Sequence, residues 1–254
     1  MTRTEDVEER KGISELLTCI SDYPGCLNTI FFGLANEFIS FINNNRTHIG
    51  LEEILKVVLV VIRKRSIAYE DMVVFHYQVI LGMIRTRFCG ESKEISNVIK
   101  AICRNYPELI PLTIKHFKKV FGEVWSNTKV VIVHAMGETF SVMGDEMYLC
   151  LENEICELIG MSFDSNHHLV IEDMAEILLL NYRSILRHKE TFVPKVFEPI
   201  YRASQKFWRI EGVNKILRIL HAILEMDCRL FERCLKAYNV KRWRNRWKRE
   251  SSCS

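Results

Sequence analysis

The sequence predicts an all-α fold, on three observations: apolar residues recur at helical spacing, breaks recur every roughly 15–25 residues, and turn-forming residues are scarce. Eleven Gly and five Pro among 254 residues leave little material for tight hairpins, which argues against an all-β chain. With 48% apolar residues and a formal net charge of +3, the composition is that of a globular protein long enough to bury a substantial core.

The breaks fall, in order, at Pro24-Gly25, Asn43 to Asn45, Ser66, Cys89 to Ser92, Asn105 to Pro107, Ser126 to Thr128, Gly144-Asp145, Asp164 to Asn166, His188 to Glu190 and Glu211-Gly212. They delimit about twelve helices of roughly 14–20 residues and no strand. Lys56 to Lys64 is rich in Val and could pass for a strand, but Leu51, Ile54 and Leu55 in front of it extend the pattern to helical length. Val193, Val196, Phe197, Ile200 and Tyr201 form the next clear stripe, continued by Phe207 and Trp208, with Pro194 near the helix start, where a missing N–H is harmless. After Gly212 the buried stripe is expected at Val213, Ile216, Leu217, Leu220, Ile223 and Leu224, then Leu230, Phe231 and Cys234; Lys215, Arg218, His221 and Glu225 take the wet face.

Many helices of similar length joined by short links form either a compact bundle or a solenoid of stacked antiparallel pairs. Tetratricopeptide and ankyrin signatures are missing, and six helix pairs in 254 residues give about 42 residues each, within reach of the loosely patterned HEAT or armadillo period. The expectation is therefore a HEAT-like α-α superhelix as a single domain over residues 1–240, followed by a basic, Trp-containing tail over 241–254.

Chemistry-bearing motifs are missing. The chain has no Gly-x-x-x-x-Gly-Lys-Ser/Thr, Gly-x-Gly-x-x-Gly, Gly-x-Ser-x-Gly or His-Glu-x-x-His, so neither an enzyme nor a cofactor is expected. His167 and His168 are adjacent, a spacing that does not aim two imidazoles at one metal. Cys150 and Cys156, like Cys228 and Cys234, are six apart and fall on different helix faces. The nine cysteines contain no Cys-x-x-Cys and read as reduced, mostly buried thiols. Glu152 with Glu154, and Glu172 with Asp173, read as surface charge. Met1 to Lys11 has no apolar stretch, and the longest hydrophobic run, Val57 to Ile62, is far too short to span a bilayer. A cytoplasmic or nuclear location is expected, with the sequon Asn45-Arg46-Thr47 unused.

The carboxyl end stands apart. Lys241, Arg242, Arg244, Arg246, Lys248 and Arg249 surround Trp243 and Trp247, which lie one turn apart. Removing residues 241–250 takes the formal net charge from +3 to −2. Such a segment suits nucleic acid or an anionic membrane surface. The favoured reading is plainer: a last helix whose two Trp cover the end of the core while its cations keep it soluble.

Tyr201-Arg202-Ala203-Ser204, then Trp208, Leu224 to Asp227, Leu230-Phe231-Glu232 and Cys234 occur in an order and spacing that resembles the B-prime regulatory subunits of protein phosphatase 2A. Val74-Phe75-His76-Tyr77-Gln78 is similar to the family's Val-Tyr-His-Pro-Gln, and His167 to Glu172 resembles the segment entering its next repeat, so the likeness runs over about residues 52–238 of what reads as a divergent, shortened member. The resemblance implies a HEAT-like non-catalytic subunit of a serine/threonine phosphatase holoenzyme, binding the scaffold and catalytic subunits and directing them to phosphoprotein substrates. It marks Tyr201, Arg202 and Trp208 as partner contacts, although a Tyr and a Trp seven apart on one helix more often serve a core. The family's His-Arg-x-Tyr, which helps capture short Leu-x-x-Ile-x-Glu peptides, has no counterpart here, Tyr77 replaces a Pro, and Leu178 to Tyr182 stands in place of a Trp-Asn-Asn-Glu-Tyr loop. The competing reading is a HEAT-like nucleic-acid-binding or transport adaptor that uses the basic tail.

Overall fold

The computed structural model describes residues 5–23, 25–44, 49–64, 67–90, 94–182 and 187–251, with the backbone alone at 44, 90, 245, 246 and 248–251. Asn45, Ser66 and Cys253 lie outside these residues. Twelve helices of 12 to 24 residues, and no strand, are formed among the described residues. They are α1 (Val7–Ile20), α2 (Cys26–Asn44), α3 (Leu51–Arg63), α4 (69–83), α5 (Glu94–Asn105), α6 (107–120), α7 (Ser126–Phe140), α8 (Asp145–Phe163), α9 (His168–Leu180), α10 (Lys189–Lys206), α11 (Ile210–Met226) and α12 (Cys228–Ser251).

Local chemistry explains the boundaries. Asp6 caps α1 through its carboxylate, which accepts from the amides of Glu8 and Glu9 at 2.8 and 3.3 Å. Gly50 enters α3 at φ 80°, a left-handed conformation that favours glycine. The Val-rich stretch is helical, as expected: eight residues of α3 from Leu51 to Ile62 are buried, so burial on several faces outweighs the weak strand preference of β-branched residues. Two boundaries differ from expectation. Glu211 and Gly212 sit inside the first turn of α11, the break falling instead at 207–209; and Asp227, which accepts from the Leu230 amide at 3.0 Å, separates α11 from α12.

The chain divides into two compact units, Met1–Leu151 and Glu152–Ser254. In the first, alternate helices stack, α1 on α3, α3 on α5 and α5 on α7, while α2 packs on α4. In the second, α9 stacks on α11 and α10 on α12, and α8 is bonded to α10. Within each unit, such layering of a helix on the next but one is the packing of a helical-repeat array, in which a repeat touches its neighbours.

The polar contacts carry the same register. Arg10 meets Glu53, Asn105 donates to the Ile62 carbonyl, Lys195 meets Glu152 and Arg233 meets Glu190, each across 43 positions. Tyr106 donates to the Ile67 carbonyl and Lys215 to Glu176 across 39, while Arg85 meets Glu123 and Lys189 meets Asp227 across 38. A repeat of about forty residues is therefore written into the bonding itself.

Burial corrects several readings. Glu152 and Glu172 are buried, at 7% and 8% exposure, rather than surface charges. Glu152 accepts from Lys195 at 2.8 Å and Thr191 at 3.0 Å, and Arg209 lies 3.4 Å from Glu172. Leu217 and Leu224 are exposed, since Ile216, Ile219, Leu220 and Ile223 fill the buried face of α11. Of the thiols, Cys89, Cys103, Cys156 and Cys234 are buried, whereas Cys19, Cys150 and Cys228 are exposed, so each six-apart pair does split between faces. Burial pushes the Cys89 thiol up to about 12.

Within α4 the backbone is π-helical over Phe75–Ile80, where it turns His76 fully into the core. His76 Nε2 lies 2.7 Å from Thr113 Oγ1, whose hydroxyl donates to the Leu109 carbonyl at 2.9 Å. Nε2–H is therefore the donor, and Nδ1 has no hydrogen-bond partner among the described residues. Burial, reinforced by the neighbouring His116, pushes His76 down to about 3.

Two outcomes follow for stability. The unfolded imidazole titrates near 6.5, so the unfolded chain takes up the proton first, and the stability present above that pH is lost as the pH falls toward 3. Urea denaturation between pH 6.5 and 5 should show the native chain losing up to about 1.4 kcal/mol per pH unit more than His76→Gln; parallel slopes would contradict the assignment. Phe197→Ala, at a ring 1% exposed and edge-on to Phe231 at 5.2 Å, should cost about 3–5 kcal/mol in the same measurement.

Candidate functional site

Helix α10 buries Phe192, Val193, Val196, Phe197, Ile200 and Ala203 on one face, which leaves Tyr201 and Arg202 at the margin of that stripe. Tyr201 is half-buried, its ring stacked on Phe197 at 5.6 Å and edge-on to Tyr238 of α12 at 5.1 Å. It pins α10 to α12, a packing role. Arg202 forks onto Asp164: Nη2 donates to Oδ1 at 2.6 Å and Oδ2 at 2.7 Å, and Nε donates to Oδ1 at 3.1 Å. Its Nη1 reaches Glu198 at 3.4 Å. Two carboxylates thus offset the guanidinium, which orients the turn after α8 instead of presenting a bare cation.

Trp208 does not continue the helix. The helix ends at Lys206, and the Phe207 amide donates to the Ala203 carbonyl at 2.9 Å as the backbone turns extended. The Phe207 ring then fills the space over Gly212, where a Cβ would collide with Cε1. Only glycine admits the ring so close to the backbone. With Phe207 turned inward, the next residue points out, and Trp208 is 79% exposed, which overturns the core reading for it. Beside it lies an open cavity of about 340 Å³ lined by Phe163, Asp164, Ile171, Arg202, Lys206 and Trp208 among others.

The three residues marked as partner contacts therefore separate. Arg202 and Trp208 line one cavity, as does Lys206, whereas Tyr201 packs on Tyr238 of α12. Asp164 is a part of this site that residue-by-residue reading passed over as a turn. Its distance of 38 positions from Arg202, one repeat length, is the signal that locates it. An exposed indole, a lysine and an ion-paired arginine around an open concavity can hold an extended peptide by apolar contact and a few polar bonds.

The basic segment is the end of α12 itself. Trp243 and Trp247 stack on each other at 5.8 Å and 27°, and at 65% and 60% exposure they do not cover the core. Among the described side chains of α12 the buried ones, Leu230 and Cys234, lie roughly two to four turns before Trp243. Lys241 donates to Glu198 at 2.6 Å, and Arg242 and Arg244 are exposed. Arg246 and Lys248 lie on the helix backbone, their side chains outside those described. No group of three or more His, Cys, Asp or Glu side chains placed to hold a metal occurs among the described residues.

A double-mutant cycle on Arg202→Ala and Asp164→Ala should return a coupling energy of up to about 1 kcal/mol, small because both side chains are partly exposed. A coupling of several kcal/mol by thermal unfolding would contradict this exposed-clamp reading.

The family model described as protein phosphatase 2A regulatory B subunit (B56 family) matches residues 1–253, extending the likeness beyond the 52–238 carried by individual motifs. This chain belongs to the B56 family of protein phosphatase 2A regulatory B subunits.

Proposed function

We propose that the chain is a non-catalytic subunit that joins the scaffold and catalytic subunits of a phosphatase 2A-type holoenzyme and directs the catalytic subunit to phosphoprotein substrates, in the cytoplasm, the nucleus or both. The family match over residues 1–253 carries this reading. In such an assembly hydrolysis belongs to the metal centre of the catalytic subunit, and the work of this chain is recognition. In this reading a helical-repeat domain over 1–240 supplies the surface, and the basic segment 241–254 follows it along the last helix.

Stacked helices support recognition because each repeat adds helix ends and exposed side chains at a fixed spacing, so a partner is read at several points along its length. Trp208, with Arg202 and Lys206 beside it, is the contact we assign to a partner subunit or substrate segment. An exposed Trp is the residue type most often found to dominate binding at an interface. No helix among the described residues is long and apolar enough to cross a membrane.

Affinity purification of the full chain from its own cells should recover both a phosphatase 2A scaffold subunit and a catalytic subunit; recovery of neither would refute the proposal. Trp208→Ala should weaken that recovery at least about tenfold while leaving the melting temperature unchanged, since the ring makes little contact with its own chain. Undiminished recovery would remove Trp208 from the interface.

A further inference from the structure

We propose that the last turns of α12 form an amphipathic docking element for an anionic lipid bilayer. Val240, Trp243 and Trp247 fall at i, i+3 and i+7, which places them on one side of the helix. All three are exposed, at 51%, 65% and 60%. Lys241, Arg242 and Arg244 occupy the rest of the circumference there, and the sequence adds Arg246, Lys248 and Arg249, against the lone acid Glu250. An apolar line bordered by cations is the pattern that lies in the plane of a membrane interface, indoles among the headgroups and cations on the lipid phosphates.

The helix is fixed for this. Tyr238 packs on Tyr201, and Lys241 bonds Glu198, so the base of the segment is held to α10 while residues 242–244 and 247 beyond it are exposed. The arrangement of the indoles also chooses between lipid and nucleic acid. A single-stranded nucleic acid binds by stacking its bases on open aromatic faces, whereas Trp243 and Trp247 each give one face to the other at 5.8 Å. Stacked together they make one apolar plate beside the cations, suited to a headgroup layer.

The test uses the purified full chain, so it fails or succeeds independently of the phosphatase reading. Phosphatidylcholine vesicles containing roughly 30% phosphatidylserine should sediment the protein, vesicles of phosphatidylcholine alone should not, and raising salt from about 0.1 to 0.5 M should release it. Trp emission should shift to the blue on binding. The double variant Trp243→Ala, Trp247→Ala should bind at least about tenfold more weakly with an unchanged far-ultraviolet circular dichroism spectrum, as should Arg242→Ser, Arg244→Ser. No sedimentation with the anionic vesicles would overturn the proposal. So would equal binding by the Trp variant, which would reduce the effect to adsorption of charge. Preferential binding of a single-stranded RNA oligonucleotide, displacing the vesicles at equal salt, would make the segment a nucleic-acid site and likewise refute it.

Discussion

The constraint on which this protein depends is a recurring set of polar bonds, each joining a side chain to a partner about forty positions away. Helices of this length cannot bury their apolar stripes alone, and isolated they are marginal in water. Within each compact unit helices are stabilised by the helix two places on, as α3 is by α5 and α9 by α11, and side chains at the rims of those contacts close polar bonds across one repeat. Arg10 with Glu53, Asn105 with the Ile62 carbonyl and Arg202 with Asp164 are instances at successive points along the chain. Some are part-buried, as at Arg10 and Asn105, and others exposed, as at Arg202, and the exposed ones are individually weak. Their worth lies in register: a helix shifted by one turn would lose its polar partner and its apolar slot together.

That register explains which features were legible in sequence. The helices were legible because their apolar periodicity survives even in the Val-rich α3, where burial overrides propensity. The period was legible as an average of about 42 residues, although no identity repeat marks it. What sequence spacing hid was the consequence of small local events. Gly212 reads as a break, yet it is a helical glycine that admits the Phe207 ring, and that one contact ends α10 at Lys206 and turns Trp208 to the surface. Glu152 reads as a surface acid until Lys195, 43 positions on, supplies the partner that lets it be buried. Acid and base pairs one repeat apart are visible in the sequence once the period is known, and invisible before.

The same logic divides the candidate site into parts that are held by the framework and a part that is exposed on it. Tyr201 and Arg202 belong to the framework, one through rings and the other through a carboxylate clamp. Trp208 is what the framework displays. In the regulatory role proposed above the work is recognition, which needs exposed side chains held on a rigid framework. The buried bond from His76 Nε2 to Thr113 serves that rigidity, since it fixes two helices in one relative placement. Family membership over residues 1–253 then gives the displayed surface its context.

Zero-length carbodiimide coupling of the native chain, read by mass spectrometry, tests the repeat register most directly, because it joins only lysines and carboxylates already in contact. The account predicts links at Lys64–Asp22, Lys189–Asp227, Lys195–Glu152, Lys215–Glu176 and Lys241–Glu198, spanning 42, 38, 43, 39 and 43 positions. Long-range links scattered over other separations, with these missing, would contradict it.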